Sequence, residues 1–140
     1  MLKIIKMISL YFLATAVCDS TPLRAPMHLA QRGAPMHHVT VTAYTTVPRC
    51  TDSNPHVTSS NFKIKPAHYR RIVALSKDLA RKYEFGDVFN LWVDGQLYSV
   101  AYQDRMPPKH RKKVDLLLPS VKSCKEFGRN QGVLIPLDKT

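Results

Sequence analysis

Apolar and polar positions alternate in short runs along most of the chain, the period of strands with one buried face. Val39-Thr40-Val41-Thr42-Ala43-Tyr44 alternates and is rich in β-branched residues, so it predicts a first strand. Residues 45–60 are polar and hold Pro48, Cys50 and Pro55, the composition of a loop. Phe62-Lys63-Ile64-Lys65 alternates again, and Arg71-Ile72-Val73-Ala74-Leu75 reads as a buried strand. Ser76 stands where it would cap a short helix over Lys77–Lys82, ended near Gly86. Val88–Val93 and Leu97–Tyr102 flank Asp94-Gly95, a strong type I′ hairpin signal. Trp92 could stack on a sugar, but beside Phe89 and Leu91 it reads as core. Val114-Asp115-Leu116-Leu117-Leu118 is a further strand, and a helix follows Pro119 and Ser120 to end at Phe127-Gly128. Gly132-Val133-Leu134-Ile135-Pro136 is the last strand. Six or seven short strands interrupted by two small helices predict a small closed β-barrel rather than a sandwich.

The two ends of the chain differ in kind. Lys3 and Lys6 precede an apolar run, Met7–Val17, of eleven residues, too short to span a membrane, and Ala14-Thr15-Ala16 fits a small-residue cleavage site. Residues 1–17 therefore read as a signal peptide, and the protein as exported to the periplasm, the cell envelope or the medium. Cys18 sits where a bacterial lipoprotein carries its acylated cysteine, but Thr15-Ala16-Val17 departs from the Leu and small residue expected there. Soluble export and lipidation both stay open. Residues 18–37, with Pro22, Pro26, Gly33 and Pro35, read as a linker, and residues 38–140 as the folded domain.

The whole chain carries 21 Lys and Arg against 10 Asp and Glu, a formal charge of +11. Loss of Lys3 and Lys6 with the signal leaves +9. An exported protein this basic suits anionic cell-wall polymers as partners, although the charge also serves solubility alone. Nucleic acid would suit the charge too, but export argues against it. In an oxidising compartment Cys50 and Cys124 can pair and close a long loop. No Cys-x-x-Cys or His-Glu-x-x-His spacing is present, so neither a metal nor a cofactor is expected. A monomer is expected.

Chemistry concentrates between Tyr102 and Pro119. Asp104 closes one predicted strand and Asp115 opens the next, eleven positions on. Between them lie two prolines and five consecutive basic or imidazole residues, Lys109–Lys113. Two carboxylates at two strand ends beside a basic loop suit acid/base chemistry, but by spacing alone they suit turn capping or pairing with a neighbouring cation better, since aspartates at turn ends are common.

The order of motifs resembles the three-aspartate (3D) domain family, which includes the catalytic barrel of membrane-bound lytic transglycosylase A. The likeness covers about residues 38–136. It runs through Val41-Thr42-Ala43-Tyr44, Cys50-Thr51, Val57-Thr58-Ser59-Ser60, Val73-Ala74-Leu75, Gly86 and Lys125-Glu126-Phe127-Gly128-Arg129. Asp104 and Asp115 match the family's second and third aspartates at its own spacing. The first has no counterpart: Ser76 follows Val73-Ala74-Leu75, and Asp78 lies two positions later. The family's Asp-x-Gly-Gly is replaced by Asp104-Arg105-Met106-Pro107.

The resemblance implies a six-stranded double-psi β-barrel with two short helices, and peptidoglycan glycan strands as the substrate. It implies Asp115 as the acid/base residue of a lytic transglycosylase. Asp104 would support it, raising its pKa by like-charge repulsion against the lowering influence of Lys112 and Lys113, of which only Lys113 shares its strand face. Tyr44 and Ser59 would line the groove, and Arg105, Lys109 and Arg111 would hold peptide carboxylates of the glycan or stand as solvated loop residues. The missing first aspartate leaves open a non-catalytic cell-wall or glycan-binding module on the same barrel.

Overall fold

The computed structural model describes residues 33–47 and 54–138. The expected signal peptide, Cys18, most of the linker and Cys50 of the expected disulfide lie outside them.

Strand formation follows the alternation. β1 (His37–Tyr44), β2 (Ile72–Leu75), β3 (Val88–Val93), β4 (Gln96–Arg105), β5 (Lys113–Leu117) and β6 (Asn130–Pro136) form one closed barrel. Its strand order is β1-β5-β2-β4-β3-β6. β1 runs parallel to β5 and β2 parallel to β4; the other neighbours are antiparallel. The inward positions, among them Val41, Val73, Phe89, Leu91, Val114, Leu116 and Leu134, are fully buried and form one core. Closure leaves no free sheet edge, so a small domain can afford six short strands.

Gly132 shows how tightly β6 passes its neighbours. A Cβ there would stand 2.8 Å from the Trp92 carbonyl oxygen and 2.8 Å from Val41 Cγ2. The β3–β4 hairpin turns at Asp94 and Gly95 with φ of 49° and 69°, the pair of positive values that a type I′ turn requires. Trp92 is not core. Phe89, Leu91 and Val93 point inward, so Trp92, one position out of phase, lies half-buried on the outer face.

The helices are short. α1 (Lys77–Ala80) is shorter than predicted because the Lys82 amide bonds back to Leu79 O, tightening the last turn. Ser76 sits at its N-cap position but caps no helix amide. α2 (Val121–Phe127) begins with a reciprocal capping box between Ser120 and Ser123 and stops at Gly128, φ 64°. The predicted strand at Phe62–Lys65 is instead part of a loop. A tight turn at Thr58–Asn61, with Asn61 at φ 63°, leaves only a single bridge between Val57 and Lys63.

Candidate functional site

Four neighbouring strands build the floor of the site from one row of residues. Thr42 on β1 lies opposite Asp115 on β5, Asp115 opposite Ala74 on β2, and Ala74 opposite Asp104 on β4. Two carboxylates therefore flank one methyl group.

Simple alternation would not place them so. Val73 pairs with Tyr102, whose ring is buried in the barrel, yet the next residue of β2, Ala74, pairs with Asp104. Gln103 is left over as a β-bulge, which re-aims Asp104 out of the barrel. The loop over the site holds the bulge: Ser60 donates from its amide to Gln103 O at 3.2 Å and from Oγ to Gln103 Oε1 at 2.6 Å.

Above this floor lies an open groove of about 630 Å³. Its walls come from the Asn54–Asn61 loop on one side and Arg105-Met106-Pro107 on the other, with Tyr44 at the end of β1. Asp104 is the better anchored acid. Its Oδ1 accepts from the Ser59 amide at 3.0 Å, Ser59 Oγ at 2.5 Å and the Arg105 amide at 2.9 Å. Its Oδ2 accepts from Tyr44 OH at 3.3 Å. Burial, and then the Asp104 charge, push the Tyr44 phenol above its ordinary value, so it stays a neutral donor.

Asp115 is held differently. Thr42 Oγ1 donates to its Oδ1, the one side-chain hydrogen bond it accepts among the described residues. Its pKa is raised, chiefly by burial; the Thr42 bond and the charges of Lys113 and His110 oppose this, and Asp104 adds a smaller upward push. The competition between Asp104 and the neighbouring lysines, left open by the sequence, is thus secondary to burial. Lys113, two positions before Asp115 on β5, acts on it, whereas Lys112 lies before the strand at φ 45°.

Among the residues singled out from sequence, Tyr44, Ser59, Arg105, Asp104 and Asp115 all meet in the groove. Lys109 and Arg111 do not line it; both are exposed on the basic loop. Asp78 does not line the groove. It accepts from Ser76 Oγ at 2.7 Å and from the Lys112 amide at 2.9 Å, while Lys113 N donates to Ser76 Oγ at 3.1 Å. Burial works against the Asp78 charge, but these hydrogen bonds outweigh it and lower its pKa. The pair therefore pins the start of β5 instead of facing a ligand. Thr42 and Ala74 were missed, although Thr42 shares a strand face with Tyr44 and was legible in that sense.

No family model matches the chain, and no curated protein matches it. The fold is similar to the apo crystal structure of an expansin from Clavibacter michiganensis, with TM-score 0.55 and 16% identity, covering 76% of this chain and 52% of that one. It is also similar to an Asp-to-Asn mutant of Clavibacter michiganensis expansin in complex with cellohexaose, with TM-score 0.53 and 14% identity over 76% and 52% of the two chains. The chain thus spans about half the length of these structures. At such identity the likeness establishes the fold, a six-stranded double-psi β-barrel, and nothing of the chemistry.

Proposed function

We propose that this chain is a cell-wall polysaccharide-binding barrel that takes a glycan strand, peptidoglycan in the first instance, across Ala74 between Asp104 and Asp115. The observation that carries the reading is the row Asp115–Ala74–Asp104 at the bottom of an open groove. A residue as small as Ala74 leaves room for a sugar ring above it, and a carboxylate on either side can accept from its hydroxyls. A protein of the same fold has been solved with cellohexaose, which supports a groove for a linear glycan. The reading includes export by residues 1–17, which would bring the barrel to the wall. Sedimentation of the purified domain with insoluble sacculi tests it: Asp104→Asn and Asp115→Asn should each weaken retention, and retention indifferent to both changes refutes it.

One observation favours a second reading, cleavage. Asp115 is a half-satisfied carboxyl whose burial favours the protonated form, the state a general acid needs. In lytic cleavage the muramic 6-hydroxyl attacks its own anomeric carbon, so the protein need supply little beyond one carboxyl. That carboxyl gives a proton to the leaving oxygen and takes one from the hydroxyl. Mass analysis of products released from sacculi decides it. Under this reading 1,6-anhydro muropeptides appear and Asp115→Asn reduces their release by about 10²–10⁴-fold. Asp104→Asn should move the pH optimum only slightly acid-ward, since its charge is a minor contributor to the Asp115 shift. A folded wild type that binds sacculi and releases none leaves the binding module alone.

A further inference from the structure

Beside the groove lies a second depression of about 480 Å³ in which Lys77, Arg81 and Arg105 surround Leu75, Met106 and Pro108. We infer that it is a carboxylate subsite, taking peptide-stem carboxylates of a peptidoglycan strand whose sugars lie in the groove. The inference rests on the glycan reading above and adds the class of substituent that the strand must carry.

Three observations lead to it. The two depressions share Arg105 and Met106, so one ligand can reach from one into the other. Their charges differ: the groove holds Asp104 and Asp115 with Arg105 at the shared boundary, whereas the depression has Lys77, Arg81 and Arg105 and no acid in its lining. Those cations are also uncompensated, because the only ion pair among the described residues is Lys122–Glu126 on α2. Asp78, the acid next in sequence to Lys77, is turned to Ser76 and the Lys112 amide instead.

Arg105 is set in advance. Its guanidinium lies 4.8 Å over the Phe85 ring, and its Nε donates to Tyr102 OH at 3.4 Å. That fixes the plane of the fork and leaves its terminal N–H groups for a carboxylate. Leu75 and Met106 beneath give the pairing an apolar floor, which strengthens it over one in open water.

This difference in charge also says where the anion sits on the ligand. A carboxylate held close to the sugar backbone would face Asp104 and Asp115 and be repelled. A carboxylate on a peptide branch can leave the groove across Arg105 and Met106 and meet cations alone.

Sacculi stripped of phosphate polymers, with their stem carboxyls intact or converted to amides, test the inference. The proteins compared are wild type, the double variant Lys77→Gln/Arg81→Gln, and Lys122→Gln/Lys125→Gln, which loses the same charge from α2. All four positions are exposed, and circular dichroism checks folding. Amidation should weaken wild-type retention about tenfold, the scale of one good charge-assisted pair. Lys77→Gln/Arg81→Gln should show the same loss on native sacculi and little response to amidation, while the α2 variant behaves as wild type. An equal amidation response in all three proteins overturns the subsite and spares the glycan reading. Failure of all three to bind either preparation refutes the glycan reading, and the subsite with it.

Discussion

Asp115→Asn should make the protein more stable at neutral pH, with the gain vanishing in acid. The substitution removes a charge that burial opposes and keeps an oxygen to which Thr42 can donate. The carboxyl ordinarily titrates near 3.8, and in the folded barrel it titrates higher. Well below 3.8 both folded and unfolded states carry the proton and the charge plays no part. As pH rises from there through the folded value, the unfolded chain releases its proton first, so wild type loses stability across that window and keeps the deficit above it. Asn does not titrate and escapes the loss. Burial and Asp104 work against the charge; Thr42, Lys113 and His110 work for it and recover part of the cost. A charged group buried with part of its hydrogen bonding unmade costs about 1–2 kcal/mol more than a neutral one. For a domain of this size that is a rise in Tm of about 5–10 °C. Thermal unfolding followed by circular dichroism between pH 3 and pH 8 measures it. A Tm difference that stays constant with pH, or a wild type more stable than the variant at pH 7, would refute the argument. Asp115 would then be an ordinary ionised groove residue, and the case for it as a proton donor would go too.

Ser59→Ala removes the 2.5 Å hydroxyl bond to Asp104 and loosens the loop wall, so glycan affinity measured by calorimetry should fall about fivefold, with Ser59→Thr retaining most of it. Gly132→Ala drives a methyl to 2.8 Å from the Trp92 carbonyl and from Val41, and urea unfolding should show a loss of about 2–4 kcal/mol without any direct effect on the groove. Non-reducing peptide mapping of exported protein should recover Cys50 joined to Cys124, a link worth about 4 kcal/mol over so long a loop in the chain-entropy model; recovery of both as thiols would count against it.

Most of the barrel was legible because its signals are local. Alternation in β1 and β3, the Asp94-Gly95 turn and the helix between Ser120 and Gly128 each act within a few residues, and each formed where the sequence pointed. The errors arose where a local pattern competed with a tertiary one. Phe62–Lys65 alternates like a strand but has no neighbour to pair with beyond one bridge, because the Thr58–Asn61 turn folds it onto Val57. Ser76 has the residue type and position of a helix cap, yet its hydroxyl is drawn to Asp78 and to the amide of Lys113, thirty-seven positions away. The company of Phe89 and Leu91 points Trp92 to the core, against its own phase in the strand.

The site was legible as a list and illegible as a geometry. Residue types and spacing singled out Asp104 and Asp115, but what places them is register, and register is a relation between strands that no single run of residues contains. The bulge at Gln103 illustrates this. Read by alternation alone, Asp104 would share the inward face with Tyr102, and an acid there would be buried in the barrel unpaired. The fold avoids that cost by skipping one residue, and the loop carrying Ser59 and Ser60 bonds to both Gln103 and Asp104 at the place of the skip. The loop that walls the groove is thus the loop that holds the acid outward. Wall and acid are one structural unit, so a change that frees the loop should disorder the carboxylate before it disturbs the core.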